Sequence, residues 1–304
     1  MSLRRTAKLN TGATIPLLGF GTAELKGQEA VNAVKKALET GYRHIDTAWF
    51  YGNEKEVGEA IRQSNVPREE IHVTTKLWNN SHRPEDVLPA FETSLKNLGL
   101  DYVDLYLMHW PIAFKPGPDP KPKDENGKAL IVDIDIVDTY KAMEELMSTG
   151  KVKALGVSNF SINSLEKLLK SAKIVPAVNQ VELHPENPQW DLLEYCQGKG
   201  IHLTGYAPLG YAESPLMKGG EISDIAKKHN SSNANVLLAW AQQRGTSVVP
   251  KAGSEEHIKS NFQDIELDEE DLKVLRKIAQ DDVVKRYRSS EALYGTDVFG
   301  DQTN

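Results

Sequence analysis

Four side chains that could together transfer a proton stand at matching places in three successive segments of the sequence. Asp46, Lys76 and His109 each end a short apolar segment with the pattern of a buried strand. Tyr51 follows Asp46 in an aromatic turn that opens the next helical segment. If the three strands lie side by side, all four polar groups meet at one edge of the sheet. A plainer interpretation is also open, in which Asp46 pairs with a buried base and Tyr51 only packs.

This set of residue types suits acid catalysis by the tyrosine phenol. A nearby lysine ammonium favours the phenolate and lowers the pKa of a tyrosine, while a carboxylate keeps that lysine charged and oriented. The histidine could orient a carbonyl oxygen or share the proton. We therefore predict Tyr51 as the proton donor, with Lys76, Asp46 and His109 around it.

The order of apolar segments and helical patterns predicts the fold that would position these side chains. A hairpin over residues 6–17 is followed by eight strand-to-helix units. Eight such units in about 250 residues are typical of a (β/α)8 TIM barrel, whose chemistry lies at the carboxyl ends of the strands. The predicted barrel strands are 17–22, 44–48, 72–77, 103–109, 154–158, 177–182, 202–207 and 246–250.

Three further features complete the predicted architecture. Residues 111–130 are rich in Pro, Gly and Lys and are too long for a plain connector, so they are expected to be one of the long loops beside a substrate. The tail from Gln280 onward is predicted to be irregular. The helix that begins near Pro84 has one apolar stripe, made of Val87, Leu88, Phe91, Leu95 and Leu98.

A doubly wound open sheet is the alternative fold. That fold favours a G-x-G-x-x-G turn after its first strand. Gly19-Phe20-Gly21 is followed by Leu25-Lys26-Gly27, which does not keep this spacing. No linker or shift in composition divides the chain, so residues 1–304 are predicted to form a single domain.

Composition places the chain among ordinary globular proteins. It has 304 residues, of which 39% are hydrophobic and 26% are charged. A formal net charge of −7 argues against nucleic-acid binding, because neutralising phosphates requires an excess of Lys and Arg. Cys196 is the one cysteine, so no intrachain disulfide forms, and its helical context predicts a buried side chain. No apolar leader and no long apolar run is present, so we expect a cytoplasmic protein without a membrane partner.

Seven stretches carry a resemblance to a known family. They are GYRHIDTAWFYGNEKEVGEA, TTKLWN, LYLMHWP, KALGVSNF, NQVELHP, GYAPLG and VVPKAGSEEHIKSN. In this order they resemble the aldo-keto reductases, especially the aldose and aldehyde reductases and the fungal-type sugar or uronate reductases, over nearly the whole chain. In that family Asp, Tyr, Lys and His at these motif positions form the catalytic tetrad, with Tyr as the general acid. The resemblance therefore implies these roles for Asp46, Tyr51, Lys76 and His109.

The resemblance also implies an NADPH site, since family members bind this cofactor extended, without a glycine-rich turn. By motif, Ser158, Asn159 and Gln180 would hydrogen-bond the nicotinamide carboxamide. Tyr206 would stack on the nicotinamide ring. Leu209 would begin the loop over the pyrophosphate, which is shorter here than in the larger reductases. Asn159 and Gln180 could instead satisfy loop backbone.

The residues for the adenosine end of the cofactor match the family's motif except at two positions. Lys251, Ser254, His257 and Asn261 align with the site for the adenosine 2′-phosphate and adenine. The family often has Ser directly after the lysine, where this chain has Ala252, and Arg at the position of His257. Arginine forks and stacks in ways that a neutral histidine cannot. We therefore expect NADPH as the cofactor, with NADH as a possible substitute.

Aromatic residues near the tetrad predict the walls of a substrate pocket. Trp49, Phe50, Trp78 and Trp110 are the candidates, and aromatic walls with a few polar groups suit small aldehydes. Relatives often carry Trp in the first loop, where this chain has Ala23-Glu24. The mouth of this pocket is therefore predicted to be more open or more polar.

Two arginines in the tail lead to a more specific prediction about the substrate. Arg286 and Arg288 lie in a basic run where relatives place a specificity loop. The run could simply be solvated. Alternatively, one of the arginines holds a substrate carboxylate, which would indicate a uronic acid such as galacturonate or glucuronate.

A metal site is not expected. His44, His109 and His184 each lie at or near a strand, but no His-x-His pair or suitably spaced carboxylate accompanies them. His184 precedes a proline and is expected to be structural.

The sequence thus predicts NAD(P)H-dependent reduction of the aldehyde of a sugar, a uronic acid such as D-galacturonate, or a related small carbonyl compound. Two alternatives remain open: a Schiff-base aldolase using Lys76, and a non-catalytic redox-sensing or binding subunit of the same fold. Asp46 and Tyr51 beside Lys76 favour the reductase over both. A monomer is expected, with a dimer as the alternative.

Overall fold

A sheet of eight parallel strands forms the centre of the computed structural model, which describes residues 5–211, 214–278 and 285–299. The strands are β1 (Thr6–Lys8), β2 (Thr14–Pro16), β3 (Phe20–Gly21), β4 (His44–Asp46), β5 (His72–Leu77), β6 (Leu105–Met108), β7 (Ala113–Phe114), β8 (Ile131–Val132), β9 (Leu155–Ser158), β10 (Val178–Glu182), β11 (His202–Tyr206) and β12 (Ser247–Val248). The order along the central sheet is β12-β11-β10-β9-β6-β5-β4-β3. Two short antiparallel pairs, β1–β2 and β7–β8, lie outside it.

The sheet closes on itself, because backbone around β3 pairs with backbone around β12. The Gly19 amide donates to the Val248 carbonyl at 2.8 Å, and the Gly21 amide donates to the Pro250 carbonyl at 2.9 Å. A Cβ on Gly21 would lie 2.5 Å from the Val249 carbonyl oxygen, so this close approach requires glycine. The predicted (β/α)8 barrel is therefore confirmed.

Helices surround the barrel, and most of them pack on it through one apolar face. In the first, Ala30, Val34 and Leu38 repeat at helical spacing and are buried. The helices are α1 (Gly27–Thr40), α2 (Glu54–Gln63), α3 (Pro84–Leu98), α4 (Ile136–Glu145), α5 (Ile162–Leu169), α6 (Trp190–Gly198), α7 (Glu221–Lys228), α8 (Asn233–Gln243), α9 (Glu255–Asn261), α10 (Glu269–Ile278) and α11 (Ser290–Tyr294).

The N-terminal hairpin forms as the sequence predicts, and it lies at the amino end of the barrel. In it, Thr6 pairs with Pro16 and Lys8 with Thr14. Ile15 is fully buried and belongs to a cluster with Leu105 and other residues at the starts of barrel strands. The opposite, carboxyl-end face is left for the long loops.

Three sequence-based expectations are wrong in detail. Leu88 is 45% exposed, because the stripe at four-residue spacing from Val87 faces the barrel and its neighbour is turned away. The connection 111–130 is not one irregular loop, since β7 pairs with β8 and holds its ends together. The tail after Gln280 contains α11, which Ser289 caps by accepting from the Ala292 amide.

No helix among residues 5–211, 214–278 and 285–299 is both long and apolar enough to cross a bilayer. The single domain over residues 1–304 stays a prediction.

Candidate active site

The four predicted acid–base residues meet at the carboxyl ends of neighbouring strands. Asp46 is the last residue of β4, Lys76 is the last but one of β5, and His109 directly follows β6. Tyr51 ends a short 3-10 turn that starts three residues after β4. Because β4, β5 and β6 are adjacent in the sheet, the four side chains face one another across the barrel mouth.

Lys76 is the centre of this cluster and is fully buried. Its Nζ donates to Asp46 Oδ1 at 2.7 Å and to the Thr47 carbonyl at 2.8 Å. The same Nζ lies 3.5 Å from the hydroxyl of Tyr51. Gln180 Nε2 donates to the other carboxylate oxygen of Asp46 at 2.7 Å, so both oxygens of that carboxylate are bound. The interpretation in which Asp46 pairs with a buried base and Tyr51 only packs is therefore incomplete, because Tyr51 belongs to the same network.

Burial and neighbouring charges shift the pKa values of Lys76 and Tyr51 in opposite directions. Burial lowers the pKa of Lys76, but the adjacent Asp46 carboxylate and Tyr51 together more than offset this, so the pKa lies above its usual value. Burial raises the pKa of Tyr51, and the Lys76 ammonium only partly counteracts it. The predicted lowering of the Tyr51 pKa by Lys76 is thus outweighed by burial. Tyr51 holds its proton and Lys76 holds its charge at neutral pH.

His109 is neutral in this setting. Burial brings its pKa well below the usual value, and the Lys76 ammonium lowers it further. Its Nδ1 is buried and has no hydrogen-bond partner among the described residues. The Asn159 amide donates to the backbone carbonyl of His109 at 3.0 Å and fixes that stretch of chain. A neutral imidazole can donate a single N–H to a carbonyl oxygen without carrying charge.

The four candidate nicotinamide residues also form one group, made by the end of β9, the middle of β10 and the end of β11. Ser158 Oγ donates to the Gln180 carbonyl at 2.8 Å, and Asn159 Nδ2 lies 3.2 Å from Ser158 Oγ. The Tyr206 hydroxyl donates to Asn159 Oδ1 at 2.8 Å. Both amides therefore have partners within the protein, and these contacts join the group to the tetrad through Gln180.

The candidate adenosine residues lie at the far edge of the barrel mouth. Lys251, Ser254 and His257 are exposed, while Asn261 is 6% exposed at the end of α9. Ser254 caps that helix by accepting from the His257 amide at 3.2 Å. Lys251 Nζ lies 3.9 Å from a carboxylate oxygen of Glu24, an acidic neighbour for any phosphate bound there.

The loop predicted to cover the pyrophosphate begins with a tight turn. Leu209 is partly buried against the main core. Gly210 has a φ of 71°, and a Cβ there would lie 2.6 Å from Ser214. This close approach folds the start of the loop back on itself.

Aromatic rings form one wall of the site. Phe50 stacks on Trp78 with ring centroids 3.7 Å apart, and Trp78 meets His109 edge-on at 4.9 Å. Trp110 packs edge-on against Tyr294 of α11 at 5.2 Å. The structure thus brings the four predicted wall residues together, Trp49 included, and adds Tyr294.

Trp49 packs against the same aromatic cluster. Like Trp78, it also borders a cavity of about 350 Å³ between α3 and the strands β5 and β6, which Lys76, Ser94 and Tyr106 line as well. This placement follows from the 3-10 turn, in which successive side chains point to different sides. Trp49 is therefore shared between the aromatic cluster and this cavity.

The two tail arginines differ in their surroundings. The guanidinium of Arg288 donates to the Tyr211 hydroxyl at 2.9 Å and lies 3.5 Å from a Glu24 carboxylate oxygen. Its charge reaches the site, since it contributes to lowering the pKa of Tyr51 against the dominant effect of burial. Arg286 instead lies over the ring of Phe299, with its guanidinium carbon 3.6 Å from the ring centroid.

Sequence reasoning missed four residues of this region. Tyr211 and Tyr294 border the mouth, and Glu182 and Glu186 bind the segment that carries Arg288. Glu182 gave a signal, because a carboxylate at the end of a buried barrel strand requires partners. The aromatic residues of the tail gave a weaker signal in the sequence.

The three histidines considered as metal ligands have separate surroundings. His184 Nε2 lies 3.0 Å from Glu182 Oε1, and His44 Nε2 lies 3.3 Å from Thr74 Oγ1. Over the described ranges, no group of three or more His, Cys, Asp or Glu side chains could hold a metal ion. The buried thiol of Cys196 has its pKa raised to about 12 by burial, which keeps it unreactive.

Fold and site together define an oxidoreductase-type barrel, and comparison with known proteins gives its family. A model of the Aldo/keto reductase family matches residues 17–280. Glycerol 2-dehydrogenase (NADP(+)) of Saccharomyces cerevisiae is 47% identical over 288 residues, which cover 91% of this chain and 92% of that protein. The chain belongs to the aldo/keto reductase family.

Two further relatives bear on the substrate and the fold. D-galacturonate reductase of Hypocrea jecorina is 43% identical over 280 residues, covering 90% of each chain. The solved structure of the aldose reductase from Schistosoma japonicum superposes with a TM-score of 0.92 at 38% identity, covering 99% of this chain and all of that one.

Proposed function

We propose that this protein is an NADPH-dependent reductase that converts the aldehyde of a small sugar, uronic acid or related carbonyl compound to the alcohol. The observation that carries the proposal is the buried Asp46–Lys76 pair with the Tyr51 hydroxyl 3.5 Å from Lys76 Nζ. A charged lysine beside a protonated phenol, next to a neutral imidazole, is an arrangement for protonating a carbonyl oxygen.

In the proposed mechanism each side chain has one task. Bound NADPH supplies the hydride that the carbonyl carbon accepts. Tyr51 gives its phenolic proton to the carbonyl oxygen as negative charge develops there, and the Lys76 ammonium stabilises the phenolate left behind. Asp46 keeps Lys76 charged and aimed at the phenol. His109 donates an N–H to the carbonyl oxygen and orients it.

The residues present fit an NADPH molecule lying across the barrel mouth. Ser158, Asn159 and Gln180 offer hydroxyl and amide groups for the carboxamide at a point connected directly to Asp46. The partly buried ring of Tyr206 provides an apolar face beside them. At the outer end, Lys251 provides the positive charge that a 2′-phosphate requires.

Two features of the outer end support partial use of NADH. Ala252 has no hydroxyl to donate to a 2′-phosphate. Glu24 lies 3.9 Å from Lys251 and opposes a second negative charge there. We therefore propose a preference for NADPH that is smaller than an arginine-lined site would give.

Acidic sugars are the proposed substrate class within the small aldehydes. Arg288 is 40% exposed, lies at the mouth and influences Tyr51 electrostatically, so it can meet a substrate carboxylate. The similarity to a D-galacturonate reductase supports the same class. Arg286, which stacks on Phe299, is proposed to shape the tail.

The aldolase alternative is less well supported. A Schiff base forms only from an uncharged amine. The Asp46 carboxylate, together with Tyr51, raises the pKa of Lys76 above its usual value against the effect of burial, and so holds Lys76 as the ammonium. Borohydride trapping with substrate would label Lys76 in an aldolase and leave it unlabelled in a reductase.

The test of the proposed function is a screen of purified enzyme with D-galacturonate, D-glucuronate, D-galactose and glyceraldehyde, each with NADPH and with NADH. Oxidation of NADPH is followed by its absorbance. We expect turnover with NADPH on several aldehydes, slower turnover with NADH, and the lowest KM for a uronate. Absence of turnover on every carbonyl would refute the reductase and favour the non-catalytic alternative.

A further inference from the structure

Two carboxylates that the proposed mechanism does not use hold the C-terminal segment in place. Glu182 is the last residue of β10 and is fully buried. Its Oε1 accepts from the Tyr287 amide at 2.7 Å, and its Oε2 accepts from the Arg288 amide at 2.8 Å. His184 Nε2 lies 3.0 Å from Oε1. Burying a carboxylate costs free energy unless it is hydrogen-bonded. The tail segment supplies hydrogen bonds to Glu182, and Glu182 in turn holds the tail segment.

The second carboxylate connects two segments. Oε2 of Glu186 accepts from the Ser214 hydroxyl and from the Tyr287 hydroxyl, each at 2.8 Å. The backbone carbonyl of Glu186 also accepts from the Lys285 amide at 2.8 Å. Ser214 lies just beyond the start of the loop that would cover the cofactor, whereas Tyr287 lies in the tail. One side chain thus joins the cofactor-covering loop to the substrate-facing tail.

These contacts decide where Arg288 lies. Two backbone amides bound to one carboxylate fix the direction of the chain at Tyr287 and Arg288. The guanidinium of Arg288 then donates to the Tyr211 hydroxyl at 2.9 Å and lies over its ring, with 4.6 Å to the centroid. Tyr211 belongs to the same loop as Ser214. The tail and the loop are therefore held together at two points, Glu186 and Arg288.

We propose that Glu182 and Glu186 are positioning residues that set substrate specificity and connect it to cofactor retention. Glu182 places Arg288 at the mouth of the site, and Glu186 ties the cofactor-covering loop to the same tail segment. Neither carboxylate touches the reacting atoms. This inference rests on the proposed reductase function, because it concerns the binding of an acidic substrate and of NADPH.

The first test replaces Glu182 by Gln, which keeps the size of the side chain but exchanges one acceptor oxygen for a donor. The Glu182→Gln enzyme should lose hydrogen-exchange protection at the Tyr287 and Arg288 amides. Its KM for D-galacturonate should rise about tenfold, the usual scale for losing a hydrogen bond to a charged group. Its kcat for glyceraldehyde should change by less than about twofold, because no acid–base group is altered. Glu194→Gln, on the exposed side of α6, is the matched control and should behave as wild type.

The second test concerns the connection of the cofactor-covering loop to the tail through Glu186, separately from the placement of Arg288 by Glu182. Glu186→Gln and Ser214→Ala should each speed NADPH release, measured by stopped-flow fluorescence, and the double variant should be no faster than the faster single variant. Additive effects in the double variant would mean that the two groups act independently and would refute the connection. If Glu182→Gln does not fold, Glu182→Asp tests the placement, because it keeps the buried charge but shortens its reach, so protection of the Tyr287 and Arg288 amides should still fall.

Failure of the proposed positioning role and failure of the proposed reductase function give different results. Unchanged amide protection in Glu182→Gln would overturn the placement even if the enzyme reduces uronates. A uniform rise of KM for acidic and neutral substrates would also overturn it, since that is the result of a loosened fold. Lack of any reductase activity in the wild type would refute the proposed function while leaving the exchange measurement valid.

Discussion

At the scale of single residues, the site depends on a lysine that stays charged in a fully buried position. Burial alone would lower the pKa of Lys76, but the Asp46 carboxylate at 2.7 Å and the neighbouring Tyr51 together raise it above its usual value. Burial is the main cause that raises the pKa of Tyr51, so Tyr51 keeps the proton that it is proposed to donate. His109 stays neutral for the same reason of burial. Three groups thus have defined protonation states at neutral pH.

These states predict the pH dependence of the reaction. Reduction requires protonated Tyr51, and its pKa lies above the ordinary value, so the rate should fall only when the pH rises beyond about 10. The pKa of His109 lies well below its ordinary value, so protonation of His109 should not appear above about pH 6. We expect kcat for reduction to be flat between these limits, measured with a saturating aldehyde. A bell centred near neutral pH would contradict the assignment.

Replacing Lys76 by Met tests the charge at the centre of the site. Activity should collapse, because the phenolate of Tyr51 loses its stabilising cation. Stability should fall by about 3 kcal/mol, the scale for breaking a buried ion pair, measured by urea unfolding. Lys227→Met, which removes an exposed pair with Asp224, is the control and should change neither quantity. Near-normal turnover of the Lys76 variant would rule out the network.

Cofactor preference can be changed at one exposed position. His257→Arg would add a forked cation beside Lys251, so the ratio of NADPH to NADH efficiency should rise about tenfold. Glu24→Gln should raise the same ratio by a smaller factor, because it removes the opposing charge 3.9 Å from Lys251. Paired kcat/KM values for the two cofactors measure this ratio. A ratio unchanged by both substitutions would place the phosphate elsewhere.

At the scale of elements, the barrel strands set the acid–base site and the connecting segments set its specificity. Asp46, Lys76 and His109 lie at the ends of β4, β5 and β6, which are adjacent in the sheet, and Tyr51 lies in the turn after β4. The aromatic wall joins the turn after β4 to α11, through Trp110 and Tyr294 at 5.2 Å. The acid–base groups thus lie on strand ends and one short turn, whereas the residues proposed to choose the substrate lie on loops and tail.

The tail supplies a prediction about acidic substrates. Arg288→Ala should raise KM for D-galacturonate about tenfold, since a hydrogen bond to a charged group is lost. KM for D-galactose should hardly change, because that sugar has no carboxylate. Arg286→Ala is the comparison variant and should affect both sugars alike, since its guanidinium packs on Phe299. Equal effects of Arg288→Ala on both sugars would refute the carboxylate clamp.

At the scale of the whole molecule, local patterns predicted the barrel and the long-range contacts decided the rest. Strand ends are visible in the sequence, so Asp46, Lys76 and His109 could be placed together once eight units were counted. Glu182 could not be connected to the tail, because Tyr287 lies 105 positions away along the chain. The net rise in the Tyr51 pKa depends on burial, which spacing does not report.

Local sequence patterns do not show long-range contacts, and this explains why some predicted details of the fold are wrong. α11 has five residues, too few for helical periodicity to stand out, and it is held by Trp110 from a distant strand end. Leu88 fits an apolar count but not the four-residue spacing of the buried stripe.

The most direct measurement of the central claim is the turnover of Tyr51→Phe, which removes only the hydroxyl. With NADPH and glyceraldehyde, kcat should fall by about 10²–10⁴-fold, the contribution of a positioned acid. The Kd for NADPH, from fluorescence titration, should stay within about twofold, because the phenol is proposed to face the substrate. Loss of turnover with intact cofactor binding is the predicted result. Retention of more than about a tenth of wild-type turnover would contradict Tyr51 as the proton donor.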